Sequence, residues 1–146
     1  MMEDLARRAV ASPHWRWLPG MALVRRKQGP AGGTGLRPTH LRVALTGGHP
    51  CDPFACIADV DRLPRPAPND PHWVPDLTDP ATVGCLLALV REAWGDPALS
   101  VTAGYTKDRT VEWEVEHPHP DSLPEALWTY FDTEAAALVA ALEAAP

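Results

Sequence analysis

Between Pro75 and Pro97 the chain reads P-D-L-T-D-P-A-T-V-G-C-L-L-A-L-V-R-E-A-W-G-D-P, and the start, body and stop of a helix follow one another in register. Asp79 can cap the N-terminus, and Pro80 suits the first helical position, where its missing N–H is not needed. Val83, Leu86, Leu87, Val90 and Trp94 recur at helical spacing on one face. Gly95 can take the left-handed closing conformation and Pro97 blocks continuation, so the pattern predicts a central helix over 80–95. Cys85 falls inside it and reads as a small buried hydrophobe.

Proline limits what surrounds this helix. The chain holds 17 prolines in 146 residues, about 12% against a usual ~5%. Each fixes φ and removes a donor, so proline-rich stretches favour extended connections over regular elements. A Pro-rich connection is expected over 61–79 and a Gly/Pro-rich loop over 27–39. Elsewhere the patterning is regular. A short helix is expected over 2–11, with Leu5, Ala6, Ala9 and Val10 on one side and Ser12-Pro13 ending it. Strands are expected at Met21–Arg26, Leu41–Thr46 and Phe54–Val60. A hairpin is expected over 99–116, where Leu99, Val101, Ala103 and Tyr105 face Val111, Trp113 and Val115 across a polar turn at Thr106–Arg109. Leu127–Phe131 reads as a further strand. Thr133 caps a final helix over 133–144 with Leu138, Val139 and Leu142 on its inner stripe. The expectation is therefore a single α+β domain over 1–146, an antiparallel sheet packed against two or three helices with long Pro-rich connections.

The string V-P-D-L-T-D-P-A-T-V-G-C-L-L-A-L-V-R-E-A-W-G-D-P resembles uncharacterised small proteins encoded by bacteriophages and prophages. So do L-A-R-R-A-V-A-S-P-H-W-R-W-L-P-G-M near the N-terminus and T-E-A-A-A-L-V-A-A-L-E-A-A-P at the C-terminus. These segments span Leu5–Met21, Val74–Pro97 and Thr133–Pro146. The resemblance implies a phage or prophage setting and supplies no catalytic residue.

No apolar run approaches the ~20 residues of a membrane span, and the N-terminus lacks a basic-then-apolar leader. The expected location is the cytoplasm, in the host cell if the chain is phage-encoded, with no membrane partner. Three cysteines without a secretory signal argue against a disulfide framework. Charge is unevenly placed. Residues 1–42 hold eight Lys/Arg and two acids, a net +6, and residues 43–146 hold five bases and seventeen acids, a net −12. Such polarity can present a basic patch to an anionic partner and an acidic face to a cationic one, unless the fold interleaves the two halves and neutralises them locally.

Four features could carry function. His49, Cys51 and Cys56 form the nearest approach to a zinc motif, but zinc wants four donors and His40 and His72 are distant completing ligands. Arg25, Arg26 and Lys27 precede a glycine-rich loop that matches neither a P-loop nor a dinucleotide fingerprint, leaving salt-dependent contact with a nucleic-acid backbone. Glu112, Glu114 and Glu116 project from one strand face about 7 Å apart, twice the strand rise, as a solvated face or an acidic surface for a cationic partner. Trp15, Arg16 and Trp17 offer residue types that dominate binding hot spots, as would any of the six tryptophans that stays exposed. His117-Pro118-His119-Pro120 reads as an exposed loop. No nucleophile has a local activating context. The expected function is thus non-catalytic, with no cofactor: binding of a host protein or ribonucleoprotein by a phage accessory protein, host-defence antagonism of the anti-CRISPR type being its most specific version. The alternatives are a zinc-stabilised module or metal-dependent enzyme centred on His49, Cys51 and Cys56, and nucleic-acid binding through the basic N-terminal third.

Overall fold

The computed structural model describes residues 2–26, 36–42 and 73–146. Its element order is α1 (Met2–Ala11), β1 (Ala22–Arg26), β2 (Leu36–Arg42), β3 (Trp73–Pro75), α2 (Pro80–Trp94), β4 (Ser100–Tyr105), β5 (Val111–Glu116) and α3 (Glu134–Glu143), an α+β arrangement. The strands form two sheets, a three-stranded one ordered β2-β1-β3 and the β4-β5 hairpin. The chain divides into two compact units, one of Met1–Arg16 with Val83–Pro146 and one of Trp17–Thr82.

In the second unit β1 is the middle strand, antiparallel to both neighbours. Met21, Ala22, Leu23 and Val24 are buried in succession, so both faces of the chain are covered over 21–24, where the sequence shows no polar alternation. The β1–β2 register slips between Leu23, which faces Leu41, and Arg25, which faces Arg37. Pro38 lies in the slipped stretch of β2, which is the edge of the sheet among the described residues and a place where a residue without an N–H is tolerated. The strand begins at Leu36, inside the stretch expected to be loop; residues 43–46, like the Phe54–Val60 strand and 61–72 of the Pro-rich connection, lie outside the described residues.

Asp76 and Asp79 turn the chain into α2. Asp76 Oδ1 accepts from the Thr78 N–H (3.0 Å) and hydroxyl (2.6 Å). Asp79 Oδ2 accepts from the Thr82 N–H and hydroxyl, both at 2.9 Å, satisfying one of the orphan donors of a helix N-terminus. At the other end Gly95 has φ +63°. The Asp96 N–H reaches back to Arg91 O and the Gly95 N–H to Glu92 O, a Schellman closure that glycine permits. Leu86, Leu89 and Val90 are the buried apolar positions of α2, whereas Val83, Cys85, Leu87 and Trp94 are half-buried.

The first unit is built around α3. Ala135, Ala137, Leu138, Val139, Ala141 and Leu142 are all buried, wider than one stripe, and α1, β4 and β5 pack against it. A helix that is apolar around most of its circumference is a core element, and its alanines allow neighbours to approach closely. Thr133 Oγ1 accepts from the Ala136 N–H at 3.1 Å and caps it as the sequence indicates. Leu5, Ala6 and Ala9 of α1 are buried, but Val10 is exposed. Trp94 Nε1 donates to Ala141 O at 2.9 Å, and Arg91 Nε donates to Leu99 O at 2.8 Å.

The hairpin pairs Ser100–Tyr105 with Val111–Glu116 residue for residue. Its apolar face is buried only at the base: Leu99 and Val115 are covered, while Val111 and Tyr105 are exposed, Tyr105 by 81%. The turn closes with Arg109 N–H to Thr106 O and Thr106 N–H to Thr110 O, and Arg109 takes φ +61°. The strand expected at Leu127–Phe131 does not form. Pro124 opens a 3-10 turn over Glu125–Leu127, closed by Leu127 N–H to Pro124 O and Trp128 N–H to Glu125 O. Only Phe131 joins the sheet, exchanging both backbone bonds with Trp113. A proline that commits the chain to a turn outweighs the strand preference of Trp-Thr-Tyr-Phe.

Candidate functional site

The polar face of the hairpin carries Ser100, Thr102 and Gly104 opposite Glu116, Glu114 and Glu112. Glu116 is exposed and accepts from the Thr102 hydroxyl at 2.9 Å; Glu112 and Glu114 are half-buried. Because the 3-10 turn brings 127–130 alongside this face before Phe131 pairs with Trp113, a groove of about 790 Å³ opens between them within the first unit. Glu114, Glu116, Asp121, His117, Trp128 and Tyr130 supply its chemistry. Leu123 and Leu127, both buried, lie beneath it. Trp128 and Tyr130 are each 62% exposed, an unusual state for two large aromatics so close in sequence.

His117 fixes one end of the groove. Its side chain is 8% exposed, and Nε2 lies 2.9 Å from Asp96 Oδ2. Nδ1 lies 3.0 Å from the His119 N and 2.9 Å from the His119 O, so the His119 backbone holds the ring in place. Asp96 Oδ1 also accepts from the Ala98 N–H at 2.7 Å. Tilted ring contacts run from Trp94 to His117 and from His117 to His119. The expected exposed His-Pro loop is therefore corrected: His117 is packed and paired with a carboxylate from the turn that follows α2, which sequence spacing does not reveal. Of these two histidines, His119 is the exposed one.

Among the sequence candidates, Glu114 and Glu116 come together in the groove, and Glu112 lies on the same face outside it. Arg16 is exposed, with Nη1 and Nη2 at 2.5 and 2.6 Å from the two carboxylate oxygens of Glu92. Those hydrogen bonds hold the Glu92 carboxyl below its usual range and raise the Arg16 guanidinium above its own. Trp15 and Trp17 are half-buried in non-regular chain. Arg25 and Arg26 sit on β1, Arg25 opposite Arg37 and Trp73 and Arg26 opposite Leu36. Lys27, His49, Cys51 and Cys56 lie outside the described residues. Among the described residues no group of three or more His, Cys, Asp or Glu could hold a metal ion, and no helix is long and apolar enough to cross a membrane. Trp128 stood in the sequence as one tryptophan among six, and Tyr130 and Asp121 carried no signal of their own. The clue to all three was the Pro118–Pro124 run, which denies 127–131 a regular strand and leaves its aromatics uncovered.

Chemically, the groove is an anionic surface with aromatic walls. Three carboxylates line it and no lysine or arginine does. No family model, curated protein or solved structure matches the chain.

Proposed function

We propose that this chain is a non-catalytic binding protein whose groove between the hairpin and the 121–130 segment receives a cationic part of a partner protein. The observation that supports this reading is one surface holding Glu114, Glu116 and Asp121, with no lysine or arginine in its lining, beside Trp128 and Tyr130. Exposed large aromatics act as contact anchors, and carboxylates of one sign steer an oppositely charged partner. An anionic nucleic acid would meet repulsion here. The phage or prophage setting implied by the resemblance of 74–97 makes the partner a host protein or ribonucleoprotein. A host-defence effector with a cationic groove, of the CRISPR type, has the charge that this surface would meet.

The test is affinity purification from a bacterial host extract with three forms of the protein: the unaltered chain, the triple variant Glu114→Gln/Glu116→Gln/Trp128→Ala, and Tyr105→Ala as a control at the hairpin tip. The expected result is a stoichiometric protein partner held by the first and third forms and lost from the second. Equal retention by all three would remove the groove from the account.

A further inference from the structure

Resting on that reading, we infer that the groove selects arginine, and specifically arginines at alternate positions of an extended segment. Glu114 and Glu116 are two residues apart on β5 and project from the same face, about 7 Å apart by strand geometry. An extended partner segment presents its own side chains with the same two-residue spacing, so Arg-x-Arg matches the carboxylate pair in register, whereas adjacent or more widely spaced basic residues do not. The aromatic wall distinguishes arginine from lysine. A guanidinium can lie flat on Trp128 or Tyr130 while its edge donates two parallel hydrogen bonds to a carboxylate; an ammonium is a compact, strongly hydrated charge that does neither as well. The groove's volume of about 790 Å³ exceeds what a single ion would fill and suits two long side chains with the backbone between them. Ser100, beside the carboxylates, adds a neutral hydroxyl for that backbone. No lysine or arginine in the lining competes for the carboxylates.

The experiment titrates the full-length protein with four capped peptides, Gly-Arg-Ser-Arg-Gly, its lysine and citrulline analogues, and Gly-Arg-Ser-Ser-Arg-Gly, following backbone amide shifts. We expect Arg-Ser-Arg to bind with shifts concentrated at 98–100, 114–118 and 127–130. We expect the lysine and respaced peptides to bind about three- to tenfold more weakly and citrulline, which keeps the shape and loses the charge, not to bind. Trp128→Ala and Glu114→Gln/Glu116→Gln should each weaken Arg-Ser-Arg about tenfold, with the remaining amide spectrum unchanged as evidence of folding. Equal affinity for all four peptides, or shifts elsewhere, overturns the inference. If no peptide binds while the purified partner is still lost from the groove variant, arginine selection fails and the binding function stands. If neither peptide nor groove-dependent partner is found, both fall.

Discussion

Arg109 holds φ +61° at the last position of the hairpin turn, a conformation in which an L side chain crowds its own backbone and glycine does not. Arg109→Gly should therefore raise stability by about 0.5–1 kcal/mol, offset in part by the greater freedom of glycine in the unfolded chain, and chemical denaturation will read it directly. A fall in stability would mean that the arginine side chain contributes more than its backbone costs. Glu92 makes the opposite kind of case. Its paired carboxyl titrates below its usual range because Arg16 donates to it, so whatever it contributes is present above the ordinary carboxylate pKa and lost as pH falls through the lowered one. Both side chains are more than half exposed, and pairs of this kind contribute little. Melting curves of the unaltered protein and Glu92→Gln should differ slightly at pH 7 in low salt and converge in high salt or once the pH has fallen below the lowered carboxyl pKa. A gap that persists at low pH would contradict that assignment.

Among the elements, α2 is the most legible because its boundaries are written in residues that act locally: Asp79 accepts the Thr82 N–H and Gly95 closes the last turn. The hairpin was legible for a similar reason, since alternation over 99–116 needs no distant partner. What a local pattern does not show is how far an element is covered. Val101, Ala103 and Tyr105 share one face, yet burial fades from Leu99 to Tyr105. Nor does it show where 121–130 runs, and the groove exists only because that segment crosses beside Glu114 and Glu116. The start of α2 was only half readable, because Asp79 was visible as a cap but the second role of Thr82 was not. Thr82 is fully buried, its hydroxyl donating to Asp79 while accepting the Ala22 N–H at 2.8 Å. Thr82→Val keeps the shape and leaves that N–H without its acceptor, which should cost about 1–3 kcal/mol by denaturation. Thr82→Ser should recover most of it. Equal stability of the valine and serine variants would show that the hydroxyl is not the stabilising group.

For the whole molecule, the polarity of the sequence is partly cancelled by folding. Of the eight basic residues in 1–42, Arg7, Arg8 and Arg16 already meet Glu3, Glu143 and Glu92, so the N-terminal basic excess is smaller as a surface than as a string. The acidic excess persists in the groove. Stability and recognition are accordingly expected to separate. Leu138→Ala, in the fully buried centre of α3, should cost about 2–5 kcal/mol through its cavity, whereas Trp128→Ala, mostly exposed, should leave the melting temperature almost unchanged and weaken capture about tenfold. The most direct test is a site-specific photo-crosslink. A benzophenone side chain at position 128, and separately at position 105, is irradiated in host extract with and without excess Gly-Arg-Ser-Arg-Gly. One discrete protein adduct is expected at 128, suppressed by the peptide, and none at 105. No discrete adduct at 128, or one unaffected by the peptide, would contradict recognition through the groove.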